Sequence, residues 1–285
     1  MRKVLLPHTL EELWEVLRTE PQAAVYAGGT DLLVKLRQGL ADSSCLVCLE
    51  RIEELKGVQE RGDEVFIGAS STHTYLLANP VIQNDFPVLK KALQVLGSPA
   101  IRNMGTIGGN ICTASPAADS LPPLYVLDAE VEIRSKNASR RMALKEFILG
   151  PGRISLQLGE LVSGVWVKKA PGYNLHHFEK VGLRKALAIP VVSLAAILRV
   201  SNSGIIEKAR LAWGSVAPTI VTSTQVEEAL TGRPLSRETL QKASLLAYGA
   251  VNPIDDVRAS ASYRRTVAAN LLWRLVGESQ GACLR

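Results

Sequence analysis

The sequence has few of the features that usually mark a function at first sight. Its 285 residues include only four cysteines, four histidines and four phenylalanines. Four scattered cysteines are too few for a disulfide framework, and the histidines do not have the spacing of metal ligands. Cys45 and Cys48 form a CxxC pattern inside an apolar run that is typical of a buried strand, where residues three apart point to opposite faces. We interpret this pair as structural and predict no metal site and no catalytic residue on this chain.

Two classes of partner are excluded by what the chain lacks. No apolar run reaches the roughly 18 residues that a membrane span needs, and the N-terminus reaches Pro7 before a signal-peptide core develops. The net charge is +6, but the basic residues are spread singly or in pairs and are not interleaved with aromatic residues. We expect no membrane span, no nucleic-acid partner and a cytoplasmic location.

The order of predicted elements indicates an α+β protein. Short helices and strands alternate over the first 150 residues. A capping box at residues 9–12 predicts a helix start, apolar spacing from Pro87 to Leu96 predicts another helix, and the alternation at 129–134 predicts a strand paired with 141–143. Gly/Pro-rich turns at 150–152 and 170–172 suggest domain edges. Beyond them, four predicted strands are followed by three predicted helices, which favours a separate α+β domain with an antiparallel sheet.

The first segment that suggests a site is Ala-Gly-Gly-Thr-Asp at 27–31. It follows a predicted buried strand and precedes a helical pattern. Glycine lets backbone amides approach a phosphate closely and adopt positive φ angles, and a helix start adds a favourable dipole. A tight turn before a helix also favours glycine, so this segment alone is weak evidence.

A second segment, Gly-Thr-Ile-Gly-Gly-Asn at 105–110, is predicted to be another glycine loop, and it repeats the paired glycines beside a hydroxyl and an amide. It leads to Asp119, which could cap the following helix or accept a hydrogen bond from a ribityl or ribose hydroxyl of a cofactor. The chain has no G-x-G-x-x-G followed by an acid and no Walker lysine motif. Ordinary Rossmann and P-loop assignments therefore fail.

With these segments, and with residues 178–184 (Phe-Glu-Lys-Val-Gly-Leu-Arg), the sequence resembles the FAD subunit or domain of the molybdenum hydroxylases over nearly the whole chain. By this resemblance the two glycine segments wrap the FAD diphosphate, Asp119 meets the ribityl chain and Lys180 lies near the flavin. Leu96 stands where some relatives place an aromatic residue against the isoalloxazine ring, and Leu161 or Val162 lines the adenine side. The cofactor-binding residues implied in this way are Ala27, Gly28, Gly29, Thr30, Asp31, Leu32, Leu33, Val34, Leu96, Ile101, Thr106, Ile107, Gly108, Gly109, Asn110, Asp119, Leu161, Val162 and Lys180.

The resemblance also implies a fold. It predicts an FAD-binding α+β domain of the vanillyl-alcohol-oxidase (PCMH) type at 1–170, in two lobes at approximately 1–55 and 56–170. A smaller α+β domain of the CO dehydrogenase flavoprotein type is predicted at 171–285.

The implied function is electron transfer from iron-sulfur clusters through FAD to NAD or another acceptor. Because this chain has no cysteine set for a cluster, the resemblance places [2Fe-2S] clusters on a small partner subunit and molybdopterin on a large one, in a hetero-oligomer such as a dimer of heterotrimers. Relatives often carry an acid shortly after the equivalent of Arg184, but residues 185–190 contain none, which leaves NAD open as acceptor. The alternative is a non-catalytic nucleotide-binding or scaffold protein that keeps the fold.

Overall fold

The computed structural model describes residues 2–170, 172–184 and 187–276. The strands are β1 Lys3–Leu5, β2 Ala24–Tyr26, β3 Cys45–Cys48, β4 Val58–Arg61, β5 Glu64–Gly68, β6 Glu130–Arg134, β7 Ser139–Ala143, β8 Ile148–Gly150, β9 Arg153–Ile154, β10 Leu161–Lys168, β11 Leu175–Val181, β12 Val192–Val200 and β13 Ile206–Gly214. The helices are α1 Leu10–Thr19, α2 Leu32–Arg37, α3 His73–Ala78, α4 Pro80–Asp85, α5 Pro87–Val95, α6 Pro99–Met104, α7 Ile107–Thr113, α8 Leu121–Val126, α9 Leu144–Phe147, α10 Thr224–Leu230, α11 Arg237–Ala250 and α12 Ala261–Asn270.

Contacts between residues divide the chain into two compact units. The first unit comprises 1–81, 98–114 and 128–169, and the second comprises 82–97, 115–127 and 170–285. Each unit is therefore assembled from separate stretches of sequence. The domain boundary predicted near residue 170 stays a prediction.

The first unit contains two main sheets. A small parallel sheet has the order β1-β3-β2, and a five-stranded antiparallel sheet has the order β4-β5-β10-β6-β7. The predicted pairing of the strands at 129–134 and 141–143 is confirmed, with Glu130 opposite Ala143. The predicted capping box at Thr9 is present in a shifted form. The Thr9 hydroxyl accepts from the amide of Glu12, as predicted, but the Glu12 carboxylate accepts from the amide of His8, one residue before the N-cap.

The antiparallel sheet of this unit holds a buried carboxylate. Glu132 accepts hydrogen bonds from the Ser163 hydroxyl at 2.7 Å and from the Trp166 indole at 2.8 Å, and its other neighbour is the Arg134 guanidinium at 2.7 Å. Burial by itself would raise the pKa of Glu132, but the two hydrogen bonds and the arginine charge together lower it. The sheet therefore carries an ionised and fully paired acid.

The second unit is built on the antiparallel sheet β11-β12-β13. Its strands are apolar because one face packs against α10, α11 and α12, and Trp213 lies completely buried in that core. Helices α5 and α8 also contact this sheet. The last helix, α12, ends at Asn270, and a 3-10 turn follows at Leu271–Trp273.

Candidate functional site

The first glycine segment connects the end of β2 to the start of α2, as predicted. Its two glycines are needed for different reasons. A Cβ on Gly28 would lie 1.7 Å from the carbonyl oxygen of Met104, so only glycine permits this close approach. Gly29 has a φ of +70°, which disfavours any residue with a side chain.

The second glycine segment is not a loop, and the prediction was wrong on this point. Thr106 is the N-cap of α7, and Ile107, Gly108 and Gly109 form the first turn of that helix. None of these glycines has a positive φ. The helix starts here because the Thr106 hydroxyl accepts from the amide of Gly109.

Most amides of this segment already have protein acceptors. The amide of Ile107 donates to the Ser71 carbonyl, that of Gly108 to the Ala69 carbonyl and that of Asn110 to the Thr106 carbonyl. The amide of Gly109 instead donates to a hydroxyl at 3.2 Å, and a hydroxyl can turn away when a stronger acceptor arrives. Gly109 is therefore the amide of this turn that a ligand could recruit most easily.

The paired glycines also differ in packing. A Cβ on Gly108 would lie 2.5 Å from the Cβ of Ala69, whereas Gly109 is exposed and its nearest atom would be the Thr106 hydroxyl at 3.0 Å. Gly28 and Gly108 are thus required by the fold itself. Close packing against a distant part of the backbone does not explain why glycine occupies the positions of Gly29 and Gly109.

A cavity of about 440 Å³ in the first unit borders both glycine segments. This size is within the usual range for ligand pockets. The Ser70 hydroxyl lies on its wall, is buried, and has no hydrogen-bond partner among the residues that the structure describes. The lining residues are Ala27, Gly28, Glu50, Glu53, Lys56, Gly57, Ser70, Ser71, Thr72, Tyr75, Asn103, Met104 and Thr106. A buried hydroxyl without a partner is costly, so the wall is suited to a ligand that completes this hydrogen bond.

Sequence reasoning missed most of this wall. Ser70, Tyr75 and Lys56 belong to no glycine motif, and nothing in their local sequence distinguishes them from surface or capping residues. They reach the cavity because the chain after β5 returns beside the glycine segments, where the amide of His73 donates to the carbonyl of Gly105.

The other predicted cofactor-binding residues of the first unit differ in how far they are buried. Ile101 lies on α6 and is 40% exposed, and Leu33 and Val34 are exposed in the first turn of α2. Leu161 and Val162 are buried residues of β10, and Leu161 packs in a core with Leu49 and other apolar side chains. A role for any of them in binding stays a prediction.

In the second unit, Asp119 forms an ion pair with Lys180. The Lys180 ammonium lies 2.6 Å from Asp119 Oδ2 and also donates to the Val95 carbonyl at the end of α5, at 2.7 Å. Burial raises the pKa of Asp119 to about 6, and the neighbouring Lys180 opposes this shift. Asp119 Oδ1 is buried and finds no partner in the described part of the chain.

The capping interpretation of Asp119 is wrong. The N-cap of α8 is Ser120, which makes no side-chain capping bond, and the Asp119 carboxylate turns to Lys180 instead. Leu96, the remaining predicted residue of this unit, is buried at the C-cap of α5. Of the stretch 185–190, where an acid is missing, Lys185 and Ala186 lie outside the described residues.

Among the described residues, no group of three or more His, Cys, Asp or Glu side chains could hold a metal ion. Within the same ranges, no helix is both long and apolar enough to cross a bilayer. Cys45 and Cys48 are buried with free thiols on β3, in agreement with the structural interpretation of the CxxC pattern.

The first unit combines a parallel sheet with an antiparallel sheet, and the second unit packs an antiparallel sheet against helices. This architecture is of the predicted α+β class, and it places paired glycines at two helix starts. Comparison with known families agrees. Residues 1–167 match the model of the FAD binding domain in molybdopterin dehydrogenase, and residues 177–279 match that of the CO dehydrogenase flavoprotein C-terminal domain. The chain belongs to this family and is an FAD-binding oxidoreductase subunit of the molybdenum hydroxylase type.

Individual relatives match over almost their whole length. The chain is 32% identical to a putative xanthine dehydrogenase FAD-binding subunit from Escherichia coli, covering 96% of this chain and 94% of that one. It is 30% identical to the nicotinate dehydrogenase FAD-subunit of Eubacterium barkeri, covering 97% of both. Among solved structures, it is similar to a chain of quinoline 2-oxidoreductase from Pseudomonas putida, with a TM-score of 0.93 and 28% identity over 99% of this chain and 98% of that one.

Proposed function

We propose that this chain is the electron-transfer subunit of a molybdenum-containing hydroxylase or dehydrogenase. In this proposal the partner chains carry [2Fe-2S] clusters and molybdopterin, and the acceptor is NAD or another oxidant. Relatives named as subunits or medium chains of such dehydrogenases support the proposal. The observation that carries it is the match of residues 1–167 to an FAD-binding family, with both glycine segments bordering one cavity.

The residues of the first unit fit a phosphate-bearing cofactor. The amides beside Gly29 and Gly109 are the proposed donors to the diphosphate, and the unpartnered Ser70 hydroxyl offers one more hydrogen bond. The side chains on the cavity wall include one lysine and two glutamates, and Lys56 is paired with Glu53 at 2.7 Å. Phosphate recognition here would therefore depend on backbone amides more than on charged side chains.

In the second unit, Asp119 and Lys180 are the proposed contacts to the ribityl chain and the flavin. Asp119 Oδ1 has the free acceptor capacity that a ribityl hydroxyl needs. Lys180 is held by two acceptors, which fixes the position of its positive charge. When bound, FAD supplies the ability to accept and donate electrons, while the protein supplies binding, orientation and electrostatics.

The proposal is tested by purifying the full chain together with its native partner subunits. Flavin, iron and molybdenum in one complex are the expected result. Reoxidation of the substrate-reduced complex is then followed with NAD and, separately, with an artificial acceptor, which identifies the acceptor class. Isolation of the chain only as a stable, active flavoprotein on its own contradicts the proposed role in a complex, and absence of flavin absorbance from the complex supports the scaffold alternative.

A further inference from the structure

Asp31 occupies the N-cap position of α2 but does not act as a cap. An aspartate at this position usually accepts a hydrogen bond from an amide of the first turn, and Asp31 makes no such bond. Its Oδ2 instead accepts from the Thr113 hydroxyl at 3.0 Å and from the Lys35 ammonium at 2.7 Å. The Asp31 carboxylate therefore makes a hydrogen bond to a residue 82 positions away in the sequence, and it does not cap its own helix.

Thr113 is the last residue of α7, the helix that begins with the second glycine pair. Its hydroxyl has one proton and two acceptors at 3.0 Å, the carbonyl of Gly109 and the carboxylate of Asp31. A charged acceptor makes the stronger hydrogen bond. The hydroxyl thus joins the first glycine segment to the helix that carries the second.

A second contact holds the same two parts of the chain together. Gly28 packs so closely on the Met104 carbonyl that a Cβ would lie 1.7 Å from it. One contact alone would leave the segments free to pivot about it, whereas two separate contacts restrict both their distance and their relative angle. A cofactor bound by two sets of amides needs this restriction, because displacements of about 1 Å weaken preorganised sites strongly.

We propose that Asp31 is a positioning residue, which aligns the two glycine segments for FAD through its hydrogen bond to Thr113 and does not itself bind the diphosphate. This inference rests on the proposed function. A carboxylate in direct contact with a diphosphate would repel it, and the pairing with Lys35 reduces that repulsion. The Lys35 pair is about half exposed on both sides, so it contributes little to holding the segments.

The test is a double-mutant cycle on the full chain. The affinity for FAD is measured by titrating the flavin-free protein and following flavin fluorescence, and the unfolding midpoint of the flavin-free protein is measured in parallel. Asp31→Ala and Thr113→Val should each raise the Kd for FAD about tenfold. The double variant should raise the Kd no further than either single variant, since each change removes the same hydrogen bond.

Conservative variants separate positioning from general stability. Asp31→Asn and Thr113→Ser keep an acceptor and a hydroxyl, so both should bind FAD within about threefold of the wild type. Lys35→Met, which removes only the ion pair, should change the Kd less than twofold. The unfolding midpoints of all flavin-free variants should remain close to one another.

Two results would overturn the inference. Additive losses in the double variant would show that Asp31 and Thr113 act independently, and an Asp31→Asn protein as weak as Asp31→Ala would show that the charge itself matters. A wild-type chain, purified with its partner subunits, that fails to bind FAD overturns the proposed function and this inference with it. If the wild type binds FAD but Asp31 and Thr113 show no coupling in the mutant cycle, only the proposed role of Asp31 is overturned.

Discussion

Lys180 Nζ lies 2.6 Å from Asp119 Oδ2, and the two side chains are only 9% and 7% exposed. These residues are 61 positions apart in the sequence. Removing one member of a buried ion pair leaves the other charged and unsolvated, which typically costs about 3–5 kcal/mol. The pair is therefore a structural feature of the second unit as well as a candidate site.

Lys180→Met should destabilise the flavin-free protein by about 3 kcal/mol or more, because Asp119 loses the cation paired with it and the Val95 carbonyl loses a donor. The double variant Lys180→Met/Asp119→Leu should recover part of this loss, since no unpaired charge remains. Urea unfolding of the three proteins measures both effects. A double variant less stable than Lys180→Met would contradict this account of the pair.

The free energy of unfolding should depend on pH through the protonation of Asp119. Its pKa is raised from 3.8 to about 6 in the folded protein, so the folded state binds the proton more tightly than the unfolded chain. The contribution of Asp119 therefore favours folding below about pH 4 and is lost as the pH rises through about 6. The free energy of unfolding is measured by urea unfolding from pH 4 to 7.5 for the wild type and for Asp119→Asn. The value for the wild type minus the value for the variant should show this decline.

A matched control for the pH series is Asp42→Asn, since the Asp42 side chain is 98% exposed. The stability difference between wild type and Asp119→Asn should fall more steeply with pH than the difference for this control. Equal slopes for the two variants would show that burial does not shift the titration of Asp119.

Alanine substitutions in the two glycine pairs should distinguish a glycine that the fold requires from one that FAD binding requires. Gly28→Ala should destabilise the protein by about 3 kcal/mol, because the new methyl collides with the Met104 carbonyl. Gly109→Ala should leave the unfolding free energy unchanged or slightly higher, as alanine favours a helix by about 1 kcal/mol, while weakening FAD binding about tenfold through the methyl beside its amide. Thermal unfolding and FAD titration measure the two effects.

Gly249→Ala is the control for the glycine series. Gly249 lies on α11, and nothing would lie within 4 Å of a new Cβ there, so neither stability nor FAD affinity should fall. A stable Gly28→Ala protein would mean that the close approach to Met104 is not required.

Glu132→Ala should cost about 3 kcal/mol of unfolding free energy, because the Trp166 indole would be left buried without its acceptor. The Ser163 hydroxyl would lose its carboxylate acceptor and keep only the main-chain carbonyl of residue 132, at 3.2 Å. Glu130→Ala, two residues earlier on β6 and with a side chain 41% exposed, should cost less than about 1 kcal/mol. Urea unfolding at neutral pH provides the comparison, and equal losses in the two variants would contradict a special role for the buried acid.

Local pattern was sufficient where an element depends on its own residues. The alternation at 129–134 predicted a strand and its hairpin partner, and the apolar spacing from Pro87 predicted α5, because side-chain periodicity alone decides which face is buried. The capping box at Thr9 was also predictable, since all of its atoms lie within five residues of the chain.

Local pattern failed where a distant partner decided the outcome. Aspartate often caps helices, and Asp119 lies just before α8. Its carboxylate instead accepts a charge-assisted hydrogen bond from Lys180, which is stronger than a bond to a backbone amide. Residues 106–110 have the composition of a loop, but the carbonyls of Ala69 and Ser71 accept two of their amides and leave the segment as a helix start. Neither competitor can be read from the neighbouring sequence.

The sequence by itself determined the elements, the α+β class and the family, because periodicity and the order of motifs are properties of the chain. Only the tertiary structure decided what the glycines do. Packing against Met104 and Ala69 requires Gly28 and Gly108, while Gly29 and Gly109 retain the conformations and exposure that a ligand could use. The physical reason is that a steric requirement or a hydrogen-bond partner arises when distant segments meet, and that meeting is a property of the folded chain.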